Sequence, residues 1–413
     1  MRHLLRFFPL GDAIAAGRWG VVLSSVAVVA LLLALPWLTG DPAAPSRWLS
    51  GCESRVVNVT LFVVVYAVLA LGLNIVVGYT GLLDLGYVTF LATGAIVTFD
   101  LLLLVRTPEG LALRVGENAG LTGQPVFGFD GSIFVIMLIA GTICALIGLL
   151  RGIPTLKLTG DYYAIVTLGI AEIVFLVYLN ESAFTGGAFG MKLDFAARPT
   201  LPWFEDGQWR WVKLYHDTGA FYLLALAVLG LTVVLSDRLD RSRIGRAWAA
   251  IRLDETAARA CGIDVSRYKM IAFAVSGFLG GVGGALYAIW AGTVAAKSLD
   301  IWQSILILCA VVLGGMGSIR GVLLGSAMLF SLRELLRETI SVGGLELRVP
   351  PEASFLVYGL LLIFVMRFRP KGLFPRGSGE SVPVSVREEK ELLAAPAHLY
   401  TLAPAEPTET GHG

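Results

Sequence analysis

Apolar residues fall in long uninterrupted runs separated by short polar or glycine-rich stretches, with no sustained alternation of the kind a half-buried strand needs. The run lengths match what a helix needs to cross a bilayer, about 20 residues. A first run ends at Leu38, and later ones cover Val56–Val77, Tyr87–Val105, Gly131–Leu150, Asp161–Leu179, Gly219–Leu235 and Met270–Ala291. Leu299–Leu313, Val322–Leu336 and Phe355–Met366 complete the series. The pattern predicts an all-α integral membrane protein of about ten spans, in which shorter segments such as Leu299–Leu313 could be re-entrant. The first run follows Arg2, Arg6 and Arg18 and is span length rather than signal length, which favours an uncleaved helix over a signal peptide.

The interruptions differ in kind. Segments 106–130 and 180–218 mix charges, Gly and Pro, and the second clusters Trp203, Trp209, Trp211 and Tyr215, residues that favour the bilayer–water boundary. Both read as outer loops. Segment 237–269 stands apart, with eight Lys/Arg and five Asp/Glu between two apolar runs. Positive residues are retained on the cytoplasmic side, so this loop and, with ten spans, both termini are placed inside. Domain organisation follows: a transmembrane domain over residues 1–376 and a tail over 377–413 whose Pro/Glu/Ala/Gly composition predicts disorder.

Composition agrees with this reading. Of 413 residues, 56% are hydrophobic and 15% charged, with a mean hydropathy of +0.75; soluble domains carry nearer a quarter charged residues. No basic stripe with stacking aromatics supports nucleic-acid binding. Cys52, Cys144, Cys261 and Cys309 lie far apart with no metal-ligand spacing and read as small buried side chains. No metal site and no bound cofactor are expected.

Within the charged loop, Ile244, Ala247, Trp248 and Ile251 share one face of a helix expected over Ile244–Ala260, with Arg243, Arg246 and Asp254 elsewhere around the axis and Gly262 as its stop. Gly245 lies within the same helix. One reading is a solvated loop whose arginines set topology; the other is a helix that docks on a cytosolic motor. Further along, Gly277/Gly281 and Gly280/Gly284 have the small-xxx-small spacing that lets helix backbones approach closely.

Polar groups at membrane depth mark where a solute could pass. Glu172 lies near the middle of its run, where a carboxyl is either functional or held in an interhelical hydrogen bond. Asp161, at the start of the same run, reads as a helix cap. In Gly78–Gly86 (GYTGLLDLG), Gly81, Asp84 and Gly86 form either a broken helix exposing backbone groups to a solute or a tight inner turn. Gly314 and Gly315, with Gly317 and Gly321, pose the same choice. Thr185-Gly186-Gly187 is either an outer contact for a partner or a simple turn.

The loop resembles the Glu-Ala-Ala loop of ABC importer permeases: Ala257-Ala258, three residues and Gly262 match, with the acid one place early at Glu255. The stretches LNIVVGYTGLLDLGYVTF (Leu73–Phe90), LTGDYYAIVTLGIAEI (Leu158–Ile173), Ser242–Lys269, VVLGGMGSIRGVLLGSA (Val311–Ala327) and RPKGLFP (Arg369–Pro375) are similar to the LivM branch of branched-chain amino-acid permeases. That resemblance implies an inner-membrane permease working with a homologous second permease subunit, two cytosolic ABC ATPases and a periplasmic amino-acid-binding protein. The chain has no GxxxxGK[ST] phosphate loop, so ATP would be used by the partner subunits.

Three function classes are weighed. The first is the permease of an ATP-driven importer of branched-chain or other neutral amino acids, or of another small polar solute such as urea or amides. The second is a proton-coupled carrier with Glu172 as relay. The third, a membrane enzyme, finds no nucleophile–base or metal constellation.

Overall fold

The computed structural model describes residues 55–374 except 108–109, 114–123, 127–131, 157, 159–160, 194–198, 206–207, 214–217, 337–338, 343–344, 349–350 and 370–371. The expected first span and the expected tail lie outside these residues.

Helices form where the apolar runs stand. α1 (Arg55–Asn74) continues into a wider π-helical turn, Ile75–Thr80. α2 (Val88–Leu103), α3 (Ser132–Thr155), α4 (Asp161–Asn180) and α5 (Thr218–Arg241) follow. The charged loop holds α6 (Arg243–Leu253) and α7 (Glu255–Ala260). α8 (Val265–Ala291), α9 (Ile301–Gly314), α10 (Ile319–Leu336) and α11 (Pro351–Phe368) complete the bundle. Among the described residues, six helices are long and apolar enough to cross a membrane, and two shorter apolar ones cover Val88–Leu103 and Leu356–Val365.

Between the helices lie small hairpins that the hydropathy pattern does not register. β1 (Leu104–Thr107) pairs with β2 (Gly110–Leu113) and β3 (Gln124–Pro125), both antiparallel. β5 (Thr200–Glu205) pairs with β6 (Gln208–Lys213) in the tryptophan-rich segment. β4 (Met191–Lys192) joins β7 (Thr293–Val294), tying that segment to the chain just past α8. β8 (Thr339–Val342) and β9 (Leu345–Arg348) form a last hairpin. These strands are short and, apart from the β4–β7 pair, local, and the spans themselves are helical.

The core is built on α1 and α8. The apolar window of α1 is fully buried, against 72% for α8 and 22% for α4; α1 touches α5, α8, α9 and α10, while α8 lies along α1, α2 and α3. Lipid is as apolar as leucine, so close backbone packing rather than expulsion of water must hold such helices together. The glycines of α8 supply it. A Cβ on Gly277 would sit 2.5 Å from the Cys144 carbonyl oxygen and one on Gly281 2.6 Å from that of Ala140, both on α3. On the α2 side, a Cβ on Gly284 would sit 2.5 Å from the Leu91 carbonyl oxygen and one on Gly280 2.6 Å from Phe90 Cβ. The two small-xxx-small pairs thus mark where α8 crosses two neighbours.

Candidate functional site

The polar breaks of the chain meet at one end of the bundle, beneath the charged loop. α6 starts at Ser242, whose side chain accepts from the Ile244 and Gly245 amides. Gly245 is pressed against the backbone at the end of α5, with no room for a side chain. One amphipathic helix over Ile244–Ala260 is expected from the pattern; the structure corrects this to two. Asp254 adopts an extended conformation and its carboxylate accepts from the Thr256 and Ala257 amides at 2.7 and 3.0 Å. It thereby caps α7, a role visible in the residue type but overridden by the apolar periodicity. Gly262 ends α7 in the left-handed region, at φ 82°.

The apolar face of α6 is buried through Ala247, Trp248 and Ile251. Trp248 is fully buried, donates to the Tyr268 carbonyl at 2.8 Å and stacks on Tyr79 with centroids 6.2 Å apart. Arg252 donates to the carbonyl of Gly78. Glu255 reaches Lys269 at 2.5 Å and Arg259 at 3.6 Å. Lys269 is 1% exposed, so the acid of the Ala-Ala-x3-Gly stretch is tied to the start of α8 and serves the loop's own architecture. Arg243, Arg246, Ala257 and Gly262 face outward, while Ala258 is buried. Cys261 is exposed, which corrects the expectation of a buried side chain; Cys144 is buried and Cys309 half-buried.

Below the loop, the Gly78–Gly86 stretch turns the chain from α1 to α2 with its backbone largely buried. Gly81 has φ 77°, a conformation glycine adopts freely. Asp84 is wholly buried and pairs with Arg151, which is equally enclosed. The Asp84 carboxylate also accepts from the Gly86 amide at 2.9 Å, and Arg151 donates to the Gly86 carbonyl at 2.9 Å and lies 4.4 Å over the Phe90 ring. Thr167 of α4 accepts from the Leu85 amide at 3.3 Å, and its backbone leaves Gly86 no room for a Cβ. Arg151 is thus the clamp of this turn. The apolar run stops at Leu150, just before it, whereas α3 continues through Thr155 and carries Arg151 inward.

A second glycine turn abuts the first. Asn74, at the end of α1, accepts from the Gly317 amide at 2.8 Å. Gly314 and Gly321 meet backbone to backbone, and Gly315 and Gly317 have φ of 117° and 87°. Leu373 and Phe374 fold back here: their amides donate to the Leu313 and Gly314 carbonyls, each at 3.0 Å, satisfying the end of α9.

Of the residues proposed to line a path, Gly81, Asp84, Gly86, Gly314 and Gly315 therefore gather at this joint. Glu172 does not: it projects from the exposed face of α4, near Ile173 and Val177. Thr185, Gly186 and Gly187 form a tight turn, with the Thr185 hydroxyl accepting from the Gly187 amide at 3.1 Å. Arg151, Asn74 and Arg252 are not singled out by the sequence, because each joins elements far apart in the chain; Asn74 and Arg151 show only as polar residues near the end of an apolar run, and Arg252 only as one arginine of the charged loop.

Span-length apolar helices, glycine-mediated crossings and a polar joint under a helical loop define a multi-pass membrane protein. The chain belongs to the family described as branched-chain amino acid transport system / permease component, whose model matches residues 55–366. It is 36% identical over 362 residues to the high-affinity branched-chain amino acid transport system permease protein LivM of Escherichia coli, covering 84% of this chain and 74% of that protein. LivM of Salmonella typhimurium is 36% identical, covering 77% and 70%. A probable branched-chain amino acid transport permease protein LivM from Methanocaldococcus jannaschii is 25% identical, covering 75% and 90%. No solved structure matches the chain.

Proposed function

We propose that this chain is the membrane-spanning subunit of an ATP-driven importer that moves branched-chain amino acids inward across the cytoplasmic membrane. The observation that carries the reading is the 237–269 loop: in a chain of this family, two short capped helices present Arg243, Arg246 and Arg259 outward while their other face grips the broken end of α1. A loop serving topology alone needs charge, not a buried tryptophan and a fixed seat on a helix end. A proton-coupled carrier with Glu172 as relay has no use for such a loop.

In this reading two cytosolic ATPases dock on the loop, a homologous second permease completes the pathway, and a periplasmic binding protein delivers the solute. With ten spans the loop and both termini face the cytosol. Small and aliphatic side chains suit an apolar amino acid, since few charges would trap it. Docking is tested by co-purification. Arg243→Glu combined with Arg246→Glu should insert normally yet recover several-fold less ATPase; wild-type recovery would remove the docking role.

A further inference from the structure

The loop does more than offer a docking surface. It is joined to the broken end of α1 by a polar bond and an aromatic stack. The last carbonyls of a helix have no partner within it, and the partial negative charge there favours a cation. Gly78 lies in the last turn of the π-helical extension, and the guanidinium of Arg252 supplies its partner from α6. The Arg252 stem also closes over Gly81, whose Cβ, if present, would lie 3.0 Å from Arg252 Cγ. Beside this bond, Tyr79 of the same π turn stacks on Trp248 at an interplanar angle of 15°.

On its far side the π turn touches the second glycine turn. A Cβ on Gly78 would fall 2.5 Å from the Gly317 amide, and Asn74 one turn earlier holds that amide. The π turn thus contacts α6 on one side and the connection between α9 and α10 on the other. Wide helical turns and positive-φ glycines are where a helix end can re-register without breaking the bundle.

We propose that Arg252, with the Tyr79–Trp248 stack, is the mechanical link by which motion of the ATPase-docking loop moves the Gly78–Gly86 break. Arg252 is a positioning residue that acts through the Gly78 carbonyl. The link rests on the docking role of the loop proposed above.

The test uses the assembled importer, this chain with its second permease, ATPases and binding protein, in proteoliposomes. Uptake of labelled leucine and ATP hydrolysis are measured together. Arg252→Gln should co-purify with the ATPases at wild-type levels and keep their hydrolysis, while uptake per ATP hydrolysed falls about tenfold. Arg252→Lys, whose ammonium keeps the charge and most of the reach to the Gly78 carbonyl that the shorter, neutral Gln amide loses, should recover most of the ratio. Tyr79→Leu is the independent check, because Tyr79 is 1% exposed and belongs to the helix break rather than the loop. It should lower the ratio as Arg252→Gln does, and Tyr79→Phe, which keeps the stack, should not. An unchanged ratio in both Arg252→Gln and Tyr79→Leu overturns the link. So does loss of ATPase recovery in Arg252→Gln with a normal ratio in Tyr79→Leu, which would make Arg252 part of the docking surface. If the wild-type complex shows no ATP-dependent uptake, the proposed function itself fails, and the link with it.

Discussion

At the residue scale, the Asp84–Arg151 pair shows how a charge can sit inside the bundle. Each ion is costly to bury, and removing one partner strands the other at a cost of about 3–5 kcal/mol. Asp84→Asn and Arg151→Met should each lower the thermal unfolding midpoint in detergent, and the double variant should be less destabilised than the sum of the two. Strict additivity would show that the two side chains do not depend on each other. Glu255→Gln should also destabilise, because it leaves the ammonium of Lys269 buried without its counter-charge. If the midpoint holds while ATPase recovery drops, Glu255 serves the partner rather than the fold. The acid at 84 was legible in the sequence as a polar group in a glycine break, but its base was not. The partners are 67 positions apart, and hydropathy counts Arg151 only as the end of a span.

At the element scale, α8 is fixed by its glycines. Gly281→Val would push a side chain into the backbone of α3, and overpacking of this kind costs about 1–3 kcal/mol. The variant should show reduced membrane yield and a lower midpoint, whereas Gly169→Ala, where nothing lies within 4 Å, should leave both unchanged. Equal behaviour of the two would mean that the α8 crossings are not close-packed. Here sequence spacing reached far: four glycines at i, i+4 intervals located a crossing that the structure resolves onto α2 and α3. The loop was less legible. Apolar positions at 247, 248 and 251 keep a helical period up to the break, and periodicity cannot see that Asp254 spends its carboxylate on capping the next helix.

At the scale of the whole molecule, run lengths of apolar residues marked the helices, since a bilayer demands span-length elements with internally paired backbones. The same rule is silent on what joins them. The hairpins at 104–113 and 200–213 are local pairings to which apolar run length is blind, and the meeting of two glycine turns beneath the charged loop depends on a long-range contact that no local window contains. Among the described residues, two central helices carry the packing and the glycine turns lie beneath the charged loop. We propose that transport here is driven by ATP used on other chains. The most direct measurement is labelled-leucine uptake into proteoliposomes holding this chain with and without its second permease, ATPases and binding protein, each in the presence of a proton ionophore. Uptake should appear only with the full set and ATP, and should survive the ionophore. Uptake by this chain alone, abolished by the ionophore, would contradict the claim.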